Sequence, residues 1–197
     1  MVVNDKLFSD WKVSDASSLS PPVDWSQIHI LPLDDQAANP GLEYLANGAL
    51  ATLGFDQIDL DLSFTVSVVG GLPRISGSSL ELTNFEFALG NAGGLLKVST
   101  DIWAAASIDL LGEENVLSIF PTDSILFDSL TFGPTASIVV QTNILVTGHD
   151  DGDKVRLDRF TQHFSQVPEP ASLALLGFAL TALWGVRRKS PGERSAY

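Results

Sequence analysis

The chain lacks cysteine altogether, and this absence removes several classes of chemistry. Without thiols there is no disulfide, no cysteine-ligated zinc or iron–sulfur cluster and no cysteine nucleophile. Only three histidines occur, His29, His149 and His163, and their spacing fits no metal-ligand motif. No serine lies in a Gly-x-Ser-x-Gly motif, and no glycine-rich phosphate-binding loop is present. The sequence therefore predicts no catalytic residue and no cofactor.

Basic residues are scarce and unevenly distributed along the chain. The 197 residues include 11 Lys and Arg against 24 Asp and Glu, which gives a net charge of -13. Residues 1–166 hold 22 acidic and 7 basic residues, a net charge of -15, whereas residues 167–197 hold 2 and 4, a net charge of +2. An acidic body of this kind repels the phosphate backbone, which argues against a nucleic-acid partner.

Residues 1–166, which we call the body, contain no long helical pattern, and apolar and polar residues alternate there instead. In "QIDLDLSFTVSVVGG" apolar residues occupy every second position from Ile58 to Val68, the period of a strand with one buried face. "SSLELTNFEFALG" resumes the alternation after a Gly/Pro turn, but its phase slips between Leu82 and Phe85. A β-bulge near Thr83–Asn84 is therefore predicted.

Further strands are predicted at "LLKVST", "SILFDSLTF", "ASIVVQTNILVT" and "KVRLDRFTQHF". The polar turn "GHDDGD" before the last of these predicts a hairpin loop, and "DIWAAASIDLLG" fits a helical turn as well as a strand. Short strands separated by turn residues are typical of antiparallel sandwiches. We therefore expect an all-β, jelly-roll-like antiparallel β-sandwich over residues 1–165.

The C-terminal segment "QVPEPASLALLGFALTALWGVRRKS" differs from the body in its charge and in its pattern of apolar residues. Pro168 and Pro170 interrupt regular structure, and the sixteen residues from Ala171 to Val186 carry no charge. As a helix this run spans about 24 Å, slightly less than a bilayer core of about 30 Å, and the basic side chains that follow can reach the headgroups. We predict one transmembrane helix here. A buried core helix is the alternative for a run of this length.

Three consecutive cations, Arg187, Arg188 and Lys189, follow the apolar run. Positive charge on the cytoplasmic side of a membrane helix places residues 191–197 in the cytoplasm and the body outside, first in the periplasm. The start "MVVNDKLFSDWKVSDASS" has no charged region followed by an apolar run, so it is not a signal peptide as written. We expect the true start of such an exported protein to lie upstream.

Residues 166–190 resemble a PEP-CTERM protein-sorting signal, which joins a Pro-Glu-Pro motif, an apolar helix and an arginine cluster in that order. Proteins with such tails are exported by Gram-negative bacteria that make exopolysaccharide. The resemblance implies that Pro168, Glu169 and Pro170 form the recognition motif, that Ala171–Val186 is the membrane helix, and that a membrane-embedded exosortase processes the chain. Exopolysaccharide is a further partner that it implies.

Carboxylates are the remaining groups that offer chemistry in the body. Asp150, Asp151 and Asp153 in "HDDGDK" are a weak calcium candidate, but their spacing is not that of an EF-hand, and a solvated turn is favoured. Asp56, Asp59 and Asp61 predict a water-facing strand surface before a glycosidase carboxylate pair. Trp11 and Trp25 are candidates for stacking on sugar rings or for the core.

The sequence therefore predicts a non-enzymatic protein that is anchored by its C-terminal helix and then processed for the cell surface or the extracellular matrix. Two alternatives remain open for the body. The first is a carbohydrate-binding or ice-binding-like surface module, which a flat exposed row of Thr or aromatic side chains would favour. The second is a secreted hydrolase, which would need a pocket with two carboxylates about 5–10 Å apart.

Overall fold

The computed structural model describes residues 1–18, 22–34, 38–71, 73–88, 93–107 and 109–167. Within these ranges the chain forms twelve strands and one short 3₁₀ helix, Trp25–Gln27. The strands are β1 (Val2–Val3), β2 (Lys6–Asp15), β3 (His29–Leu33), β4 (Gly41–Leu53), β5 (Gln57–Val68), β6 (Ile75–Ala88), β7 (Gly94–Ala104), β8 (Leu110–Ile119), β9 (Asp123–Ile125), β10 (Phe127–Thr135), β11 (Ser137–Gly148) and β12 (Lys154–Gln166).

Two antiparallel sheets contain all twelve strands. The seven-stranded sheet has the order β1-β2-β5-β11-β7-β8-β9, and the five-stranded sheet has the order β10-β6-β12-β4-β3. The expected all-β antiparallel sandwich is therefore confirmed. The finer jelly-roll label stays a prediction. The segment Met1–Val167 is one compact unit.

The predicted alternation forms the core as expected. The apolar side chains of β5 from Ile58 to Val66 point inward and are buried, and β11 and β12 supply matching apolar rows. Aromatic rings join the sheets. Phe64 of β5 packs against Phe8 and Phe164 with ring centroids 6.1 and 6.2 Å away, and Trp11 stacks on Phe64 at 4.5 Å.

The bulge predicted near Thr83–Asn84 is present in the β6–β12 pair. Arg159 pairs with Asn84 and the next residue, Phe160, pairs with Leu82, so Thr83 is the extra residue. This insertion explains the slip in phase, because one additional residue turns every later side chain to the opposite face.

The hairpin predicted at "GHDDGD" is wrong. β11 pairs with β5 and β7 in the seven-stranded sheet, whereas β12 pairs with β4 and β6 in the other sheet. The polar turn thus carries the chain from one layer of the sandwich to the other. A short turn of Asp and Gly reverses the chain in either case, so turn composition does not distinguish the two connections. In the ambiguous "DIWAAASIDLLG", residues 101–104 end β7, residues 105–107 lie in a turn and residues 110–112 begin β8.

Candidate binding surface

The outer face of the seven-stranded sheet presents ordered rows of polar side chains. Strand pairing aligns two such rows across β2, β5, β11, β7 and β8. Both rows contain hydroxyl, amide and carboxylate groups, and Lys12 adds one ammonium group. The first row is Lys12, Ser63, Gln141, Asp101 and Glu113, and the second is Ser14, Asp61, Asn143, Ser99 and Asn115.

A groove of about 390 Å³ runs across these rows, and we call it the polar groove; its polar lining is Lys12, Ser14, Asp61, Ser63, Ser99, Asp101, Gln141, Thr142 and Asn143. The Asn143 side chain is fixed within it. Its Nδ2 donates hydrogen bonds to Asp59 Oδ1 at 2.8 Å and to Asp61 Oδ1 at 3.0 Å. The groove therefore offers both donors and acceptors to a polar ligand.

The geometry does not favour a hydrolase at Asp59 and Asp61. The two carboxylates share one donor, so their bonded oxygens lie within about 6 Å of each other, which is the range of a glycosidase pair. However, the amide of Asn143 bridges the two carboxylates and already donates to one oxygen of each. Asp56 precedes β5 and makes its described backbone hydrogen bond to Leu53 in a turn.

One aromatic side chain lies at the end of the polar groove. Trp103 of β7 is half-buried on the outer face and pairs with Val139 of β11. Its indole N–H is buried without a hydrogen-bond partner in the described part of the chain. Gln141 lines both the polar groove and the shallow depression beside Trp103, so the two are adjacent. The outer rows do not repeat a Thr or aromatic motif across the described strands, so they do not favour an ice-binding face.

A second opening lies beside the polar groove, between the two sheets. This apolar slot has a volume of about 150 Å³, and the residues that line it include Val13, Trp25, Ile30, Tyr44, Leu50 and Phe160. Tyr44 stacks on Phe160 with centroids 4.2 Å apart, yet its buried hydroxyl has no hydrogen-bond partner among the described residues. Burial raises the pKa of Tyr44, so the phenol stays protonated. Val13 and Asp61 line both the slot and the groove.

The two tryptophans singled out in the sequence have different environments. Trp11 is partly buried and stacks on Phe64, so it belongs to the packing of the core. Trp25 remains 43 % exposed at the apolar slot, in the 3₁₀ helix that Asp24 caps through its carboxylate. Of these two side chains, Trp25 is the one placed to contact a ligand.

A buried acidic side chain, Glu114 of β8, lies between the sheets. It is completely buried, and neither carboxylate oxygen reaches hydrogen-bond geometry with a described residue. Its ladder neighbour Thr100 bonds the hydroxyl of Thr142 at 3.1 Å instead. Burial raises the pKa of Glu114 to about 7, and the negative charge of Asp128 adds to this effect.

Two nearby groups only partly offset the burial of Glu114. The Ser78 hydroxyl and the Leu130 backbone N–H favour the charged form, so they lower the pKa from what burial alone would give. The strand pattern of the sequence already indicated that Glu114 is buried. Glu113 and Glu114 are adjacent in a strand, so they point to opposite faces, and Glu114 shares its phase with buried Val116. Sequence reasoning missed that consequence.

The weak calcium candidate forms a turn. Asp153 is buried, and its Oδ2 accepts hydrogen bonds from the backbone N–H groups of His149 at 2.8 Å and Asp150 at 2.9 Å. Asp150 Oδ1 in turn accepts from the N–H of Asp151 at 2.8 Å. In the described ranges, no three His, Asp or Glu side chains are arranged to hold a metal ion.

The histidines are well separated in the structure. His29 and His149 are exposed, and His163 Nδ1 lies 2.9 Å from the carbonyl oxygen of Asn39.

The described residues do not include the predicted sorting segment, which comprises Pro168, Glu169 and Pro170, the apolar run Ala171–Val186 and the basic cluster Arg187, Arg188 and Lys189. Within the part of the chain that is described, no helix has the length and apolar character needed to span a membrane.

Several solved structures are similar to this chain at a low level. TmCBM61 in complex with β-1,4-galactotriose has 15 % identity and a TM-score of 0.33, with 78 % of this chain and 88 % of that chain covered. The carbohydrate-binding module TmCBM27, described with mannan recognition, has 8 % identity, a TM-score of 0.30 and coverage of 81 % and 98 %. CsCBM6-3 from Clostridium stercorarium in complex with cellobiose has 14 % identity, a TM-score of 0.23 and coverage of 79 % and 94 %. Likeness at this level supports no inference about a ligand.

The C-terminal segment matches a protein-family model, although no curated protein matches the chain. Residues 166–189 match the family model described as the PEP-CTERM protein-sorting motif. This confirms the resemblance seen in the Pro-Glu-Pro motif, the apolar run and the basic cluster. The chain therefore carries a PEP-CTERM sorting signal, which marks it for export and makes it an exosortase substrate.

Proposed function

We propose that this chain is the precursor of a non-enzymatic surface or matrix protein, whose β-sandwich is the mature part and whose C-terminal segment is removed after export. The observation that carries the proposal is the match of residues 166–189 to the sorting motif. In this proposal Ala171–Val186 crosses the membrane transiently, and Arg187–Lys189 remain in the cytoplasm until processing.

The end of the folded domain supports this division. β12 continues to Gln166, and the N–H of Val167 donates to the carbonyl oxygen of Arg74 at 3.1 Å. Buried Lys6 reaches the same end of the strand, where its Nζ donates to Gln166 Oε1 at 2.5 Å and to Asp5 Oδ1 at 2.7 Å. The sandwich is thus held together up to the residue before Pro168.

The composition of the body is also consistent with a released product. Its net charge of -15 over residues 1–166 keeps copies apart in solution and disfavours contact with anionic lipid. The side chain of Asn143 between Asp59 and Asp61 argues against glycoside hydrolysis there. These features support a binding or structural role for the sandwich in preference to catalysis.

The proposal predicts that the Pro-Glu-Pro motif controls processing. When Pro168, Glu169 and Pro170 are all changed to alanine, we expect the full-length mass to persist in the membrane fraction of the native cells. The wild-type chain is expected to lose everything beyond the motif region. Intact mass spectrometry of membrane and medium fractions measures both.

The chain offers a matched control beyond the motif. Pro191 and Glu193 lie outside the matched residues, and changing both to alanine alters the same residue types. This control should be processed like the wild type. Processing of the triple variant at the wild-type rate, or a wild-type chain that stays full-length in a strain with an active exosortase, would contradict the proposal.

A second function, carbohydrate binding by the mature domain, is favoured by the polar groove. Amide, carboxylate and hydroxyl groups line it in register, and Trp103 lies at its end. Sugars need paired hydrogen bonds to their hydroxyls and an aromatic ring for their C–H faces, and these groups provide both. The exopolysaccharide of the producing cell would be the natural source of such a ligand.

We expect Gln141→Ala to weaken oligosaccharide binding about five- to tenfold, the effect of one or two lost hydrogen bonds. Glycan-array screening followed by calorimetry measures the change. Gln57→Ala is the matched control, because Gln57 lies on the outer face at the far end of β5 and does not line the groove. Equal affinities of the two variants would exclude the polar groove as the site.

A further inference from the structure

Beside the polar rows, the outer face of the seven-stranded sheet continues with two rows that are mainly aliphatic. Strand pairing aligns Leu145, Lys97, Leu117 and Ile125 in the first of them, and Thr147, Leu95, Ile119 and Asp123 in the second. We call their five aliphatic side chains the aliphatic patch; they are Leu95, Leu117, Ile119, Ile125 and Leu145. None of them lines the polar groove.

The aliphatic patch is open to water. Ile125 is 51 % exposed and Ile119 is 37 % exposed, and the three leucines are partly exposed. Neighbouring strands lie about 4.8 Å apart, so the patch extends about 14 Å from Leu145 on β11 to Ile125 on β9. Single exposed aliphatic side chains are common, whereas adjoining ones mark a contact surface. The patch therefore fits a partner that has an apolar surface of its own.

Two unpaired charges accompany the aliphatic side chains. Lys97 lies between Leu145 and Leu117 in the first row, and Asp123 ends the second row on the edge strand β9. Neither forms an ion pair within the described part of the chain. Two strand spacings and one row separate them, a distance of about 12 Å, which is well beyond the reach of an ion pair. The two charges therefore remain available to groups outside the copy that carries them.

The arrangement of these charges is complementary to itself. In a two-fold dimer the same surface of both copies forms the contact. An axis that lies in the contact plane and crosses β8 between Leu117 and Ile119 sets Lys97 of each copy opposite Asp123 of the other. The same rotation brings Leu117 of one copy toward Ile125 of the other. A single operation thus joins two opposite charges twice and covers the aliphatic side chains between them.

Long-range repulsion and the small area of the patch limit the strength of such a contact. The net charge of -15 over residues 1–166 repels other copies, but at an ionic strength of about 0.15 M this field extends only about 8 Å. The two rows cover far less than the area of about 800 Å² per partner that is usual in stable complexes. We therefore expect a weak and reversible association.

We propose that the aliphatic patch is the contact surface for a second copy of this chain, in a two-fold dimer with Lys97–Asp123 ion pairs on both sides of an aliphatic centre. The partner is specified by the charges. A surface without a carboxylate opposite Lys97 and a cation opposite Asp123 would leave both groups unpaired in the contact.

Sedimentation equilibrium of fragment 1–167 tests the association. This fragment contains every described strand and the whole core, so it carries its own fold. In about 0.15 M salt its mass should rise from one copy to two, with a dissociation constant of about 0.1 mM. Methyl signals of Leu117 and Ile119 should shift with protein concentration over the same range.

Charge reversal tests the arrangement itself. Lys97→Glu or Asp123→Lys alone sets like charges opposite each other twice, so each variant should associate at least about tenfold more weakly than the wild type. An equal mixture of the two variants should form a heterodimer with about the wild-type affinity, because both pairs are then opposite in charge again. Unchanged far-UV circular dichroism establishes that each variant is folded.

Two control variants make the same changes in net charge elsewhere. Lys154 is exposed on the five-stranded sheet, and Asp34 is exposed after its edge strand β3. Lys154→Glu and Asp34→Lys should each associate within about twofold of the wild type. A wild-type fragment that stays monomeric up to about 1 mM would overturn the proposal. So would equal association of Lys97→Glu and Lys154→Glu, or a mixture of the two patch variants that stays monomeric. None of these results depends on the processing of the C-terminal segment or on the polar groove.

Discussion

Above pH 7 the variant Glu114→Gln is expected to exceed the wild-type domain in free energy of unfolding by about 3 kcal/mol. The pKa of Glu114 is raised from 4.5 to about 7 in the folded state, mainly by burial, and each pKa unit corresponds to about 1.36 kcal/mol. A raised carboxyl pKa stabilises the fold fully below pH 4.5. That stability is lost as the pH rises through about 7, because the buried group must then be charged.

Chemical denaturation of fragment 1–167 between pH 4.5 and 8.5 measures this dependence. Glutamine mimics the protonated acid, so the two curves should meet below pH 5 and separate as the pH rises. Glu113→Gln is the matched control, because Glu113 is exposed on the opposite face of the same strand. It removes the same charge from an acidic body without altering the interior. A difference between Glu114→Gln and wild type that stays constant with pH would contradict the assignment.

Phe64→Ala is expected to destabilise the domain by about 3–5 kcal/mol at any pH. Phe64 is 1 % exposed and contacts Phe8, Trp11 and Phe164, which come from β2 and β12. Its removal opens a cavity where the two sheets meet, and three aromatic neighbours cannot all move to fill it. Urea denaturation of fragment 1–167 gives the change in the free energy of unfolding.

An exposed phenylalanine provides the comparison. Phe55 is 68 % exposed in the turn before β5, and its replacement by alanine should change the free energy of unfolding by less than about 0.5 kcal/mol. A loss below about 1 kcal/mol for Phe64→Ala would mean that the contact between the sheets is not formed around this ring.

Much of the fold could be predicted from local pattern. The alternation from Ile58 to Val68 determined both the strand and its buried face, since side chains in a strand alternate strictly. The phase slip between Leu82 and Phe85 located the bulge for the same reason. These features depend only on neighbouring residues, so one sequence contains the necessary information.

Partner choice between strands could not be predicted in the same way. The turn at Asp150–Asp153 looks identical whether β12 pairs with β11 or crosses to the other sheet. Residues far away in the sequence determine which strands β12 pairs with, because β12 forms hydrogen-bonded ladders on both sides, with β4 and with β6. A hairpin with β11 would displace β5 or β7, which already flank that strand.

The candidate sites also differ in whether they could be predicted from local sequence. The sorting motif is contiguous in sequence, so residues 166–189 could be identified directly. The polar groove and the apolar slot are assembled from strands far apart in the chain, such as β2, β5 and β11. Lys12 and Gln141 have no distinguishing sequence context, and only strand register brings them to one row.

The position of β12 has a consequence for the order of events during export. It is the last of the described strands in sequence, yet it is the middle strand of the five-stranded sheet, and the described β10–β6 and β4–β3 pairs are joined only through it. A chain that crosses the membrane from its N-terminus therefore delivers the joining strand last, immediately before the sorting motif. Cleavage beyond Val167 leaves both ladders of β12 intact, whereas a cut inside residues 154–166 would divide this sheet in two. A product cut beyond Val167 thus keeps the complete described sheet.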